Sequence, residues 1–487
     1  MAYSKHILTL LALVACGMAW AVTPQQAAGK FVEGASLKHA SVSICIMDIA
    51  TGEVVAAWAP DQSEITASTM KVVTASTALY KLGPHFTFGT QVKTVGRIDG
   101  EGTLHGDIVI VGGGDPTLGS KHFKGRPDFI KETIARLKEI GVTRVEGAVV
   151  PDLSAIPFPP VPATWTLEDL AWDYGTGCFG LCYADNVITL SFDRAGRQPG
   201  PVRVQPEFPS LKVKNMVTLS NPKNMTRDSG VEAYLDYTVP SITLWGEAER
   251  GSGVYGNVFA NPAPHLLLCD RMAGALRQAG IEVGDSALWH EDKKPTGDEQ
   301  TVLDYRSPEL ADIVASLLER SDNMYAEMVL RAIAAADGCR ATTAAGCREV
   351  EKFWKGKGID TSPLFMKDGC GLSRNGKTSS RFLCELLART YNDRQEIGAD
   401  LSKLLPVAGE SGTVQMLLSK SSLKGELALK SGSMNAVHCY AGYYPASNPR
   451  YAVAILVNSF TGERRALRQR IERFFLDAFE RPEPVMQ

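Results

Sequence analysis

The sequence predicts an α+β fold, in which both chain ends contribute to one antiparallel sheet and the middle supplies helices. Three observations predict it. Runs of β-forming residues cluster near both ends, helical periodicity dominates between them, and one overlong gap is β-rich. The chain has 487 residues, room for a large core and more than one domain. Hydrophobic residues at 44% and charged residues at 22% are ordinary for a globular protein. A net charge of −3 leaves no basic footprint, which argues against a nucleic-acid partner. No internal apolar run reaches the length of a membrane span.

The first 21 residues read as an export leader. Lys5 and His6 precede an apolar run from Ile7 to Val14, and Ala19-Trp20-Ala21 fits a small-x-small cleavage site. Cleavage after Ala21 is expected, with a lipid on Cys16 as the lesser alternative. Export would place the protein in the bacterial periplasm. Nine cysteines remain beyond Ala21, an odd number that cannot pair completely within one chain. Cys339 and Cys347 are the first expected local disulfide, and Cys178 and Cys182 the second. Without a C-x-x-C pair and with scattered histidines, no metal site is expected.

After the leader, Ser41 to Asp48 and Glu53 to Trp58 read as a hairpin about Thr51-Gly52. Val72, Val73, Ala75, Ala78, Leu79 and Leu82 then repeat at helical spacing until Gly83-Pro84 stops them. Ser307-Pro308 is expected to cap a helix reaching Arg320, and Met324 to Ala335 to form the next. Glu426 to Leu429 reads as a strand with Lys430 at its exit. Strands at Val437–Tyr444 and Tyr451–Val457 follow, then a closing helix from about Glu463 to Phe479.

Three short motifs sit at the joints of these elements: Ser68-Thr69-Met70-Lys71, Ser321-Asp322-Asn323 and Lys430-Ser431-Gly432-Ser433. Separately they read as a helix start, a helix joint and a strand exit. In this order they supply the parts of a serine–lysine acyl-transfer site. A serine hydroxyl needs a neighbouring base, and Lys71 lies one helical turn from Ser68. Lys430 would be a second cation that helps keep Lys71 partly neutral. Ser321 could relay a proton to the leaving amine, and Asn323 could hold the scissile region. Backbone N–H groups of Ser68 and Ser433 would form an oxyanion hole. Ser431 and Ser433, beside Gly432, could take a substrate carboxylate.

Ser321 follows Ser68 by 253 residues, whereas Lys430 follows Ser321 by only 109. The long gap predicts an inserted, mostly β module over residues 94–261, with 22–93 and 262–487 as the main domain. Helix Pro264–Gly280 is expected to return to that main domain.

With these features in place, the chain resembles the D-alanyl-D-alanine carboxypeptidase/endopeptidase family of low-molecular-mass class C penicillin-binding proteins. Further matches are Gly113 to Leu118, Asp368 to Arg374, Leu405 to Gly409, and Val437 to Tyr444. The resemblance implies a β-lactamase-like transpeptidase domain and hydrolysis of D-Ala–D-Ala bonds and D-Ala–diaminopimelate cross-links in peptidoglycan, through an acyl-serine. It implies inhibition by β-lactams and no cofactor. The family's insert carries an aspartate for the diaminopimelate amino group; Asp173 is the first match in Trp165–Asp173, and Asp169 the second. Ser431 replaces a usual threonine, and Cys370 stands where serine is common. A β-lactamase and an inactive wall-binding protein are the competing readings. The insert argues against the first, and the complete set of polar groups against the second.

Overall fold

The computed structural model describes residues 22–226, 229–284 and 297–480, so the leader and both processing sites lie outside the described residues. Helix α1 (Pro24–Val32) is capped by Thr23, and β1 (Ser41–Asp48) and β2 (Val54–Trp58) form the expected hairpin. Helix α2 (Met70–Lys81) follows a 3₁₀ turn over Ala67–Thr69. Next come β3 (Gly89–Ile98), β4 (Thr103–Gly112), α3 (Phe129–Glu139) and β5 (Val187–Asp193). The insert continues through β6 (Val231–Asp236), β7 (Ser241–Glu249), β8 (Val254–Ala260), α4 (Pro264–Gln278) and β9 (Glu299–Arg306). Helices α5 (Leu310–Arg320), α6 (Asn323–Ala336), α7 (Thr343–Gly356) and α8 (Ser380–Asn392) fill the middle. Strands β10 (Ala428–Met434), β11 (Val437–Tyr444) and β12 (Tyr451–Asn458) and helix α9 (Arg464–Phe479) complete the chain.

The main sheet has the order β10-β11-β12-β1-β2, so the two chain ends meet in one ladder. Ser41 stands opposite Asn458 and Asp48 opposite Tyr451. Successive side chains of a strand point to opposite faces, and here both faces are dry. Ile44, Ile46, Val453, Ile455 and Val457 pack on one face against Phe31 of α1 and Ile471 and Phe475 of α9. Cys45, Met47, Ala454 and Leu456 face the other way, into the cluster formed with α2, α5, α6 and α8. Helices on both faces make this a three-layer α/β/α unit, the expected α+β architecture.

The region between α2 and α5 builds its own sheets. β3 and β4 pair from Thr90–Gly112 to Ile98–Leu104, and β9 adds to the far side of β3 with Arg306 opposite Gly89. Both edges of this ladder lie outside the expected limits 94 and 261. Helix α4 does not return to the main domain: Leu268, Cys269, Met272 and Leu276 pack with Val92, Leu104, Ile108 and Ile110 of the inserted sheet. The pairing of β9 is non-local, and helical periodicity does not reveal which sheet receives a helix. A second inserted layer pairs β5 with β8 and β6 with β7 around Ile188, Phe192, Ile242, Leu244 and Phe259.

Two element ends also differ from expectation. Helix α5 begins at Leu310 behind Glu309 rather than at Ser307-Pro308. The Ser307 hydroxyl accepts from the N–H of Phe88 and donates to the Pro308 carbonyl, so it ties a loop instead of capping a helix. Lys430 sits inside β10, because the ladder to β11 runs on to Met434. Neither expected disulfide forms, and all nine cysteines among the described residues are free. The Cys182 thiol donates to the Phe179 carbonyl instead, and that of Cys339 points to Glu349.

Candidate active site

The 3₁₀ turn Ala67–Thr69 delivers Ser68 to the floor of a cleft, with Ala67 held at a φ of 44°. Positive φ is costly for alanine, and such strain concentrates where geometry serves function. One turn on, the Lys71 ammonium group lies 2.9 Å from Ser68 Oγ, 2.6 Å from Asn323 Oδ1 and 2.8 Å from the Cys370 carbonyl. Ser321 ends α5 in the left-handed conformation (φ 60°, ψ 36°), which turns its hydroxyl toward the same cleft. Asp322 caps α6 by accepting from the N–H of Tyr325, and thereby sets Asn323 as the first residue of that helix. Lys430 Nζ reaches Ser321 Oγ at 3.0 Å and the Ser431 carbonyl at 2.7 Å. All three motifs therefore converge.

Gly432 is required by closeness. A Cβ there would lie 2.5 Å from the Thr66 carbonyl and 3.0 Å from the N–H of Ser68. The edge strand β10 thus lies directly against the turn that carries Ser68. Ser431 Oγ donates to Thr413 Oγ1 at 2.7 Å, and Ser433 Oγ lies 3.0 Å from His438 Nδ1, whose Nε2 is 2.9 Å from Tyr440 OH.

Burial dominates the electrostatics. Lys71 and Lys430 are both fully inaccessible to solvent. Burial pushes the Lys71 amine below its ordinary range, and the nearby Cys370, Asp368, Asp322 and Glu327 partly offset that shift. Lys430 is pushed well below its ordinary range, first by burial and then by the charge of Lys71. Both shifts favour neutral amines. Burial, with Arg464 and Arg468 adding to it, lowers His438 to about 4, so this ring is neutral at neutral pH.

Glu327, one turn after Asn323 on α6, is fully buried and pushed up to about 7 by burial and then by Asp368. Its carboxylate accepts from the backbone N–H groups of Gly369 and Cys370 and from Thr343. Asp368 accepts from the N–H groups of Gly371 and Ser373 and from Trp165 Nε1. Together these carboxylates brace the loop whose Cys370 carbonyl receives Lys71. Donor atoms of Glu327, Asp368 and Cys370 lie within 4.8 Å of one another. Protein N–H and O–H donors already occupy the two carboxylates, which fits a loop brace better than a cation site.

The cleft has a volume of 510 Å³, and Ser68, Ser321, Asn323 and Ser433 line it from the main domain. From the insert come Asp169, Trp172, Tyr174 and Glu232. Asp173, the first choice for the amino group of the substrate, is exposed and does not line the cleft. The 3₁₀ turn Asp173–Gly175 carries it outward, whereas Asp169 on the preceding turn is buried at the cleft wall and accepts from Thr166 Oγ1 at 2.5 Å. The insert also reaches across to Asn323 and Arg374. The Tyr174 carbonyl accepts from Asn323 Nδ2 at 2.8 Å, and Arg374 pairs with Glu168 across the opening.

Several of these groups were not singled out from sequence. The i, i+4 spacing of Asn323 and Glu327 on one helix face was a readable sign. The pairing of Ser433 with His438 depends on strand register and left no such sign.

The profile of the D-Ala-D-Ala carboxypeptidase 3 (S13) family matches residues 25–476. A D-alanyl-D-alanine carboxypeptidase of Actinomadura sp. (strain R39) is 26% identical over 460 residues, covering 88% of this chain and 80% of that protein. The D-alanyl-D-alanine carboxypeptidase DacB of Haemophilus influenzae is 26% identical, covering 91% of this chain and 90% of its own. The crystal structure of penicillin binding protein 4 (dacB) from Haemophilus influenzae superposes with a TM-score of 0.79 at 23% identity, over 91% of this chain and 97% of that one.

Proposed function

Because the chain belongs to the D-Ala-D-Ala carboxypeptidase 3 (S13) family, we propose how its own residues divide the labour of a serine-type D-alanyl-D-alanine carboxypeptidase acting on peptidoglycan stem peptides. The observation that carries the reading is the buried Lys71 amine, its pKa lowered by that burial, at 2.9 Å from the Ser68 hydroxyl. Lys71 takes the Ser68 proton as Oγ bonds to the carbonyl carbon of the penultimate D-alanine. The N–H groups of Ser68 and Ser433 receive the oxyanion, in keeping with the contact of β10 on the Ser68 turn. As the C–N bond breaks, the Ser321 hydroxyl, held by Lys430, hands a proton to the departing D-alanine amine. The proton that Lys71 took from Ser68 returns to Ser321, which leaves Lys71 neutral again. Water then attacks the acyl ester as Lys71 takes its proton, the C–O bond to Ser68 breaks, and that proton passes to the Ser68 Oγ. Asn323 holds Lys71 through Oδ1 and is itself held by Tyr174.

Lys430, Ser431 and Ser433, with Gly432 allowing the close approach, take the terminal carboxylate of the substrate. Asp169 replaces Asp173 as the counter-charge for the diaminopimelate amino group, and cross-links ending in D-Ala–diaminopimelate fit the same cleft. β-Lactams acylate Ser68 as amide mimics. The reading includes export to the periplasm behind the leader, and a unit spanning residues 89–306 that supplies one wall of the cleft. Among the described residues no helix is long and apolar enough to cross a membrane.

Incubation with a fluorescent penicillin and with a pentapeptide muropeptide tests the scheme. A stable adduct on Ser68 and released D-alanine are expected. An adduct on another serine, or no D-alanine, would overturn it.

A further inference from the structure

On β6 and β7 of the insert, the inward side chains Val231, Ala233, Ile242 and Leu244 are buried in the second inserted core. The outward set on the same strands is Glu232 and Tyr234, facing Trp245 and Thr243. Exposed apolar residues scattered singly need no explanation, but aromatic residues grouped on one face beside a cleft mark a candidate contact surface. Tyr234 is 54% exposed and Trp245 47% exposed. Among the described residues neither ring stacks on another ring or beneath a cation.

The register links this face to the cleft. Glu232 is the direct cross-strand partner of Trp245, and Tyr234 follows two residues later on the same face. Glu232 also lines the cleft that holds Ser68. The aromatic pair therefore continues the cleft wall outward onto the open side of the insert. Polar groups surround the rings: Thr243 lies opposite Tyr234, and Lys214 pairs with Thr243 from the neighbouring strand Lys212–Asn215.

We propose that the Tyr234–Trp245 face is a saccharide subsite that holds the glycan from which the stem peptide hangs. The proposal rests on the peptidoglycan reading above and deepens it. Pyranose rings present flat C–H faces that stack on aromatic planes, while their hydroxyl and acetamido groups take hydrogen bonds from flanking polar side chains. With the scissile bond at Ser68, the four stem residues between it and the sugar span roughly 13–14 Å when extended. Glu232, the cross-strand partner of Trp245, lines the same cleft as Ser68, so the sugar end of such a stem has an aromatic face beside the cleft to meet. Rigid aromatic rings lose little freedom on binding, which suits weak, repetitive recognition of a polymer.

Two measurements test the subsite. Calorimetric titration with a peptide-free tetrasaccharide of alternating N-acetylglucosamine and N-acetylmuramic acid reads glycan binding whether or not Ser68 is the nucleophile. Trp245→Leu and Tyr234→Leu, singly and together, should weaken it by about fivefold or more, while Trp245→Tyr, which keeps a ring, should retain most of it. In parallel, kcat/KM for the disaccharide-linked pentapeptide should fall to a similar degree through KM, with the free pentapeptide and penicillin acylation unaffected. Equal tetrasaccharide affinity in wild type and variants, or equal loss for both peptide substrates, would overturn the subsite. If wild-type protein cleaves neither peptide, the catalytic scheme fails, and the tetrasaccharide titration still decides the subsite.

Discussion

The two walls of the cleft are built on opposite principles. The main-domain wall stands on a sheet covered on both faces, and Lys430 lies fully buried in it on the edge strand β10, paired to β11. The insert wall stands on strands with one dry face and one wet face, and reaches the site through turns such as Asp173–Gly175. A wall buried on both sides can strip water from two lysines and lower the pKa of each; a one-sided wall cannot. Conversely, the one-sided wall sets Asp169, Trp172 and Glu232 along the cleft without the same burial on both faces. The comparison teaches that chemistry belongs to the first wall and selection to the second.

The most severe test of that division is Ser68→Ala. It should abolish penicillin adducts while costing only about 1 kcal/mol of stability, the net worth of one hydrogen bond. Thermal melting and adduct mass spectrometry read both at once. Lys71→Arg comes next. A guanidinium stays charged near neutral pH, so acylation should fall by about 10²–10⁴-fold in stopped-flow measurements. In the wild type, acylation should rise with pH as Lys71 loses its proton, at a lower pH than an ordinary lysine allows.

Trp165→Phe strikes where the walls touch. It removes the donor to buried Asp368 and should cost about 1–3 kcal/mol in chemical denaturation. It should also slow penicillin acylation measurably, because Asp368 braces the loop that receives Lys71. An unchanged acylation rate would make the walls more independent than the hydrogen bonds suggest. Asp169→Asn should lower kcat/KM for diaminopimelate peptides about tenfold, equivalent to about 1.4 kcal/mol, and spare penicillin. If both rates fell together, selection and chemistry would not be divided along this line.

The smallest effect concerns Glu327. Burial pushes its carboxyl up to about 7, above the ordinary glutamate value of about 4.5. Protonated Glu327 therefore favours the folded state, fully below about pH 4.5, and that contribution is lost as pH rises through about 7. Glu327→Gln should flatten this dependence, so melting temperatures at pH 5 and pH 7.5 should differ less than in wild type.

The legible parts of the molecule were those governed by local rules. Ser68 and Lys71 share one helical turn, and the β1–β2 hairpin and β11 follow alternation and turn chemistry. The misplaced parts depend on partners distant in sequence. Lys430 looked like a strand exit because only β11 shows how far β10 runs. β9 pairs with a strand about 200 residues earlier, so the ladder reaches beyond the expected limits 94 and 261, a register that periodicity does not encode. Asp169 and Asp173 are both acidic residues beside aromatic ones, and only the fold of two short turns separates the buried one from the exposed one.

The union of the two chain ends has a consequence for how the molecule comes into being. A chain interrupted before Ala428 would own Ser68, Lys71, Ser321 and Asn323, yet β1 would have an open edge where β12 belongs. It would lack Lys430 and the strand that closes over the Ser68 turn. Such a fragment would lack a group that the proposed acyl transfer uses, so the last strands of the fold complete the centre that the first ones begin.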